Sequence, residues 1–181
     1  MAEVTGELSR LDHAVYDAVA VTETPRLDAV MRIVSRAADH SKLSMAAAVG
    51  LAVTGGGAGR RAAVSGLASI AVTSAFANLA VKPVARRRRP DRAGAAVPAR
   101  RHVPMPTSRS FPSGHAAAAH AFAVGASRFA PAAGAPLYAL AAVVSYSRVH
   151  TGVHYPGDVI AGALVGLTLG SLTANALDRS L

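Results

Sequence analysis

Between Ala62 and Val81 the chain runs for twenty residues without a charged side chain. A helix needs about that many apolar residues to cross a bilayer, whose hydrocarbon core is about 30 Å thick, at about 1.5 Å of rise per residue. In lipid no water satisfies a peptide group, so such a run is helical and its neighbours must be helical too. Composition agrees. Apolar residues make up 51% of the 181, and charged residues only 16%, against roughly 25% in a soluble domain. The apolar set is mostly Ala, Val and Leu, with abundant Gly, no Trp and few aromatics. Small side chains of this kind let helices approach closely in lipid. With no cysteine, a disulfide framework and a thiolate metal site are excluded.

Other elements arrange themselves around that span. Met1 to His13 has mixed charge and no apolar core, so it does not read as a secretory signal. From Leu8 to Ala38, Leu11, Val15, Val19, Leu27, Val30, Met31 and Val34 recur at helical spacing with charges between them. Thr24-Pro25 divides this stretch into two amphipathic helices, with Pro25 suited to a first helical position. These helices lie against the membrane or pack on the bundle. Ser41 to Thr54 is apolar but short for a span, and Gly55 to Gly59 reads as a flexible turn. Lys82 to Phe111 is an Arg- and Pro-rich loop, long enough to suggest function. Ser113 to Phe129, Leu137 to Ser147, and Pro156 to about Leu177 read as helices, the first capped by Ser113. Gly162, Gly166 and Gly170 share one face and permit close contact, within the bundle or between copies of the chain. The expected fold is therefore one all-α integral membrane domain over residues 1–181. Residues 41–181 form a catalytic bundle of about five core helices, and 1–38 form short amphipathic helices.

Three polar clusters interrupt the apolar pattern, each at a helix end. They are Lys82 with Arg89-Pro90, then Pro112-Ser113-Gly114-His115, then Ser147-Arg148 with His154 and Asp158. Following the chain direction through the helices puts all three on one side of the membrane. Lys82, Arg89 and Arg148 are suited to a group with several negative oxygens, and the helix starts at Ser113 and Pro156 add N–H donors. Two histidines and a carboxylate can do nucleophilic and acid–base work. Together they read as phosphoryl transfer at a membrane surface.

The same clusters resemble the signature of the type 2 phosphatidic acid phosphatase family, which shares its site with the vanadium haloperoxidases. That signature is a lysine, six residues and Arg-Pro; Pro-Ser-Gly-His; and Ser-Arg, five residues, histidine, three residues and aspartate. Every specified residue is present, in order. The resemblance implies that His154 attacks phosphorus to form a phosphohistidine and that Asp158 holds its other ring nitrogen. His115 would protonate the leaving oxygen and then activate water. Lys82, Arg89, Ser113, Gly114 and Arg148 would hold the phosphate. It implies no cofactor and no metal, and a lipid phosphate or diphosphate, of glycerolipid or polyprenyl type, as substrate. A lipid phosphotransferase and a haloperoxidase are alternatives on the same site.

Remaining polar residues take simpler readings. His150 lies four before His154, a spacing open to a metal pair, but no clustered third ligand supports one. His120 reads as a buried, hydrogen-bonded histidine, and His13, His40 and His102 as structural or solvated. Arg86, Arg87 and Arg88 read as a lipid-headgroup patch. A net charge of +9 also fits a polybasic binding protein, but that reading leaves His115, His154 and Asp158 unexplained. Nucleic acid is therefore not expected as a partner; membrane lipids are, and homo-oligomers stay open. The Lys/Arg excess on the motif side predicts a plasma-membrane protein with its site facing the cytoplasm.

Overall fold

The computed structural model describes residues 2–180 and, among these, contains helices and no strand. Two amphipathic helices come first, α1 (Ala2–Val21) and α2 (Pro25–Ala37), with Pro25 opening the second. α3 (Lys42–Thr54) and α4 (Gly56–Phe76) form a tight hairpin. A π-helical turn, Ala77–Val81, carries α4 into the short α5 (Lys82–Val84). Pro83 accounts for that widening: it supplies no N–H, and its ring crowds the carbonyl of Leu79 inside the turn. After an irregular loop come α6 (Gly114–Ser127), α7 (Gly134–His150) and α8 (Pro156–Ser180).

α6 is the axis of the bundle, packed between α4, α7 and α8. It buries Ala116, Ala117, Ala121, Phe122, Ala123 and Ala126. The glycine face of α8 lies inside this bundle. A Cβ at Gly162 would stand 2.4 Å from the Ser113 carbonyl oxygen, and one at Gly166 2.2 Å from that of Ala117. Four-residue spacing on α8 thus meets four-residue spacing of carbonyls on α6. Hydroxyls lace the same region: Ser65 donates to the Gly125 carbonyl at 2.8 Å and Ser69 to that of Gly170 at 3.3 Å.

The outer surfaces are apolar. The rod Gly56–Val84 and α8 are long and apolar enough to cross a membrane, yet only 28% and 22% of their most apolar windows are buried. A soluble protein would turn such faces inward. Here Val64, Leu67, Val72, Ile160, Leu164 and Leu172 point out, as lipid-facing residues do. The fold is an all-α membrane bundle.

Three sequence expectations change. The Gly55–Gly59 stretch is not a flexible turn: the helix resumes at Gly56, and a Cβ at Gly59 would stand 2.0 Å from the Leu51 carbonyl oxygen, so that glycine serves helix contact. α7 runs past Ser147 to His150, which puts Arg148 on its last turn. α2 turns Asp28, Met31 and Ser35 inward while Val30 and Ile33 are exposed. Polar side chains, more than its apolar stripe, hold it to the bundle.

Candidate active site

All three clusters meet at one end of the bundle, where α4–α5 and α7 end and α6 and α8 begin. The turn between α7 and α8 depends on Gly152, at φ +70, where a Cβ would meet Arg92, Tyr16 and Val97 at 3.1–3.3 Å. That reversal lets the His154 and Val153 N–H groups both reach the Arg148 carbonyl, and it lodges the His154 side chain in the interior.

The His154 ring is held on both sides. Its Nδ1 lies 3.5 Å from Asp158 Oδ2 and 3.4 Å from Ser110 Oγ. Its Nε2 lies 3.1 Å from Nη1 of Arg89. A guanidinium has donors and no acceptor, so this contact requires a lone pair on Nε2 and the proton on Nδ1. Burial, with the Arg89 and Arg148 charges, pushes the His154 pKa down to about 4, against the opposing pull of Asp158. Near neutral pH the ring is therefore uncharged, with its lone pair aimed at a cation.

Asp158 is fully buried on the first turn of α8. It accepts from the Tyr155 N–H at 3.0 Å, from Ser110 Oγ, and from Arg87 Nη1 at 2.9 Å. Arg87 also pairs with Asp12 on α1 and stacks on the Tyr155 ring at 4.3 Å. The lipid-patch reading of Arg87 is thus wrong. In the irregular segment after α5, Arg87 and Arg89 turn inward while Arg86 and Arg88 are exposed.

Arg148 is buried and donates through Nη1 to Ser35 Oγ (2.7 Å) and to the Ser35 carbonyl (3.2 Å). Among the described residues its Nε has no partner, a buried donor of the kind an anionic oxygen satisfies. Ser113 caps α6, its Oγ accepting from the Ala116 N–H at 3.5 Å. Lys82 donates to Asn78 Oδ1 at 2.8 Å, and its Nζ lies 3.6 Å from where a Gly114 Cβ would be. His115 Nε2 lies 3.0 Å from Asp39 Oδ1, in the turn before α3. A cavity of about 210 Å³ opens beside Lys82, Gly114 and His115, with Ser41, Ser44, Ser74 and Asn78 on its wall. All eight sequence-predicted residues therefore lie at this end of the bundle. Ser110, Ser35 and Asp39 are additions the sequence did not single out, and Arg87 is one it read differently.

His40 lines the same cavity as His115, and three other histidines have structural partners. His150 Nε2 lies 2.8 Å from Asp28 Oδ1, His120 Nδ1 3.0 Å from the Ala116 carbonyl oxygen, and His102 Nε2 3.1 Å from that of Val97. Among the described residues, no group of three or more histidines and carboxylates is placed to hold a metal. Asp28 is itself a hub, accepting from Arg100 and Arg101 at 2.6 Å each. Burial alone would raise its pKa, but hydrogen bonds from Arg100, His150, Thr24 and Arg101 hold it down at about 2.

The sequence profile of the PAP2 superfamily matches residues 62–180. A decaprenylphosphoryl-5-phosphoribose phosphatase of Mycobacterium tuberculosis is 40% identical over 93 residues, 51% of this chain and 49% of that protein. An undecaprenyl-diphosphatase of Sulfolobus acidocaldarius is 50% identical over 64 residues, 35% of this chain and 31% of that protein. The chain spans about half the length, or less, of these relatives. Among solved structures, a transmembrane PAP2-type phosphatidylglycerolphosphate phosphatase from Bacillus subtilis superposes with a TM-score of 0.71 at 24% identity, covering 97% of this chain and 88% of its own. LpxE from Aquifex aeolicus superposes at 0.70 and 23%, covering 91% and 95%. At these identities the likeness shows the shared fold.

Proposed function

The chain belongs to the PAP2 superfamily, and from that premise we propose that it is a membrane phosphatase acting on a polyprenyl-linked phosphate through a phosphohistidine. The observation that carries the reading is the His154 ring, its Nε2 lone pair facing Arg89 and its Nδ1 backed by Asp158. A phosphate bound to Arg89, Arg148, Lys82, Ser113 and the Gly114 N–H presents phosphorus to that lone pair. As the N–P bond forms and the ester bond breaks, His115 gives its proton to the leaving oxygen. His115 then takes a proton from the water that attacks phosphorus, and the P–N bond breaks to release phosphate. Charge in the transition state spreads over equatorial oxygens, where fixed cations stabilise it most.

The names of the polyprenyl phosphatases among its relatives support the substrate class. The apolar outer faces support a substrate drawn from the membrane. One panel with the purified protein tests this: phosphate release from a polyprenyl monophosphate, a polyprenyl diphosphate, a polyprenyl-linked sugar phosphate and phosphatidic acid. Release from the polyprenyl compounds at ten times the phosphatidic acid rate or more supports the reading. Preference for phosphatidic acid overturns the substrate class, and turnover of none, with His154→Ala indistinguishable from the parent, overturns the enzyme.

The site is assigned to the cytoplasmic face of the plasma membrane. Beyond Lys82, Arg89 and Arg148, its side carries Arg36, Lys42, Arg86, Arg87, Arg88, Arg92, Arg100, Arg101 and Arg109, against Arg60, Arg61, Arg128 and Arg179 at the other end. Cytoplasmic loops carry such an excess. The cysteine-free chain allows a direct test at Ala93, which is exposed in the loop, whereas Ala95 packs against the cluster around Tyr16 and Val97. Labelling of Ala93→Cys in intact spheroplasts by an impermeant maleimide would reverse the assignment.

A further inference from the structure

We propose that Asp39, in the turn between α2 and α3, is a positioning residue that sets the ring orientation and proton of His115. The inference rests on the phosphatase reading above. Residue 39 lies outside the 62–180 stretch matched to the family, and no signature residue occupies it.

Asp39 Oδ1 lies 3.0 Å from His115 Nε2 and 3.7 Å from Nη1 of Arg148. One carboxylate oxygen thus faces both the acid–base histidine and a phosphate-binding arginine. The backbone around it is unusual. His40 and Ser41 follow at φ 56 and 59, a left-handed conformation that residues with a Cβ rarely adopt. Two such residues in succession persist only where surrounding contacts hold them, and strain of this kind gathers at functional sites. The contacts are visible. Ser35, one turn earlier on α2, holds Arg148 through both its hydroxyl and its carbonyl. Ser44, one turn into α3, is buried beside the cavity that His115 lines. The turn is pinned from both sides, with the Asp39 carboxylate against His115.

Chemistry gives the contact a purpose. His115 must carry a proton when the ester bond breaks and lack one when water attacks. The charged and titratable groups around it are Arg148 from α7, His154 from the α7–α8 turn, Asp39, and, on the wall of the cavity that His115 lines, Lys82 from the end of the α4–α5 rod and His40 from the turn that carries Asp39. Two of these are cations that oppose a protonated imidazole. Asp39 is the carboxylate in hydrogen-bond reach that favours it. With Nε2–H held by Asp39, Nδ1 is the nitrogen that exchanges its proton with the leaving oxygen and then with water.

The test compares two phosphate monoesters. An alkyl phosphate has a poor leaving group and needs the proton; 4-nitrophenyl phosphate has a good one and does not. kcat/KM reports through the first irreversible step, so it isolates ester cleavage. Asp39→Asn should lower kcat/KM for the alkyl phosphate by about ten- to a hundredfold, part of the roughly 10²–10⁴-fold that general acid catalysis contributes. It should lower that for 4-nitrophenyl phosphate by less than about threefold, and Asp39→Glu should recover part of the loss. A purely structural role would depress both substrates alike, which overturns the proposal, as would unchanged rates or a tighter KM for both. A second readout does not depend on turnover. In ¹⁵N-histidine spectra of the micelle-solubilised protein, the resonance absent from His115→Gln should shift its protonation midpoint downward in Asp39→Asn. An unmoved midpoint overturns the positioning role even if the protein hydrolyses neither ester, whereas inactivity of the unsubstituted protein bears only on the phosphatase reading.

Discussion

Asp158→Asn separates the tautomer argument from simple loss of a charge. In the parent, Asp158 Oδ2 lies 3.5 Å from His154 Nδ1 and accepts from Ser110 and the Tyr155 N–H, while Oδ1 accepts from Arg87. An amide keeps the shape but turns one oxygen into a donor. If its NH₂ faces Nδ1, the imidazole moves its proton to Nε2, which then points an N–H at Arg89 and has no lone pair for phosphorus. If its NH₂ faces Arg87 instead, two donors meet at a fully buried side chain. In a serine-protease triad the equivalent change costs roughly 10⁴ in kcat. Here Ser110 Oγ, 3.4 Å from Nδ1, is a second acceptor that retains part of the correct tautomer. The expected loss is therefore roughly a thousandfold, or about 4 kcal/mol at 1.36 kcal/mol per tenfold. The assay is the single-turnover rate of phosphate release from a short-chain polyprenyl phosphate in detergent, read beside the ¹⁵N shifts of His154. The parent should show a protonated Nδ1 and the variant a growing Nε2–H population. A variant within tenfold of the parent, or one that loses its rate with the tautomer unchanged, would refute the reasoning.

Other consequences follow from burial and close packing. Asp28→Ala leaves Arg101, which is fully buried, without its carboxylate; breaking a buried pair costs roughly 3–5 kcal/mol. Thermal melting in detergent should fall sharply, and Arg101→Met in the same chain should recover part of it; no recovery would mean the pair is not the cause. Gly166→Ala places a methyl 2.2 Å from the Ala117 carbonyl oxygen, which side-chain motion cannot relieve. Overpacking of about 1–3 kcal/mol or more should lower the melting temperature and, because α6 carries His115, the rate; parental stability would show that α6 and α8 are not in this contact. His154 should titrate by NMR near pH 4 rather than at its ordinary 6.5. A lowered folded-state value means that protons favour the unfolded chain. This contribution to stability is whole above about pH 6.5 and is lost as pH falls toward 4; a midpoint at 6.5 or above would remove the case for a buried, uncharged nucleophile.

What could be read from the sequence was whatever had a local cause. Uncharged runs, Pro25, the Ser113 cap and the start at Pro156 each act through their own backbone, so the helices emerge close to where they stand. The ordered signature named the eight residues that gather at one end of the bundle, because its spacing is a property of three helix ends. The residues that support them from a distance were hidden. Arg87 sits in an unbroken run of four arginines, and only the fold of the segment after α5 turns 87 and 89 inward and 86 and 88 outward. Asp39 stands 76 residues before the histidine it faces, and a lone carboxylate in a turn has no pattern of its own. The destination of the α8 glycines could not be read either, since their spacing suits any close neighbour, and the carbonyl row of α6 decides it.

The N-terminal helices gain a role from these pairings. Asp12 faces Arg87, Asp28 faces Arg100, Arg101 and His150, and Asp39 faces His115 and Arg148. These three acidic residues each meet a cation or histidine from the loop or from the ends of α6 and α7. A site that gathers Lys82, Arg89 and Arg148 at one end of the bundle faces self-repulsion. The membrane helices themselves carry almost no acid to offset it. α1 and α2 lie outside the lipid-spanning set, where carboxylates are tolerated, and supply that charge from the aqueous side. This explains why α2 turns Asp28 and Ser35 inward and leaves Val30 and Ile33 exposed: charge and hydrogen-bond pairing hold it to the bundle. Removing α1 and α2 should therefore loosen Arg148 and His115 before it unravels the bundle, because α4, α6 and α8 also pack on one another.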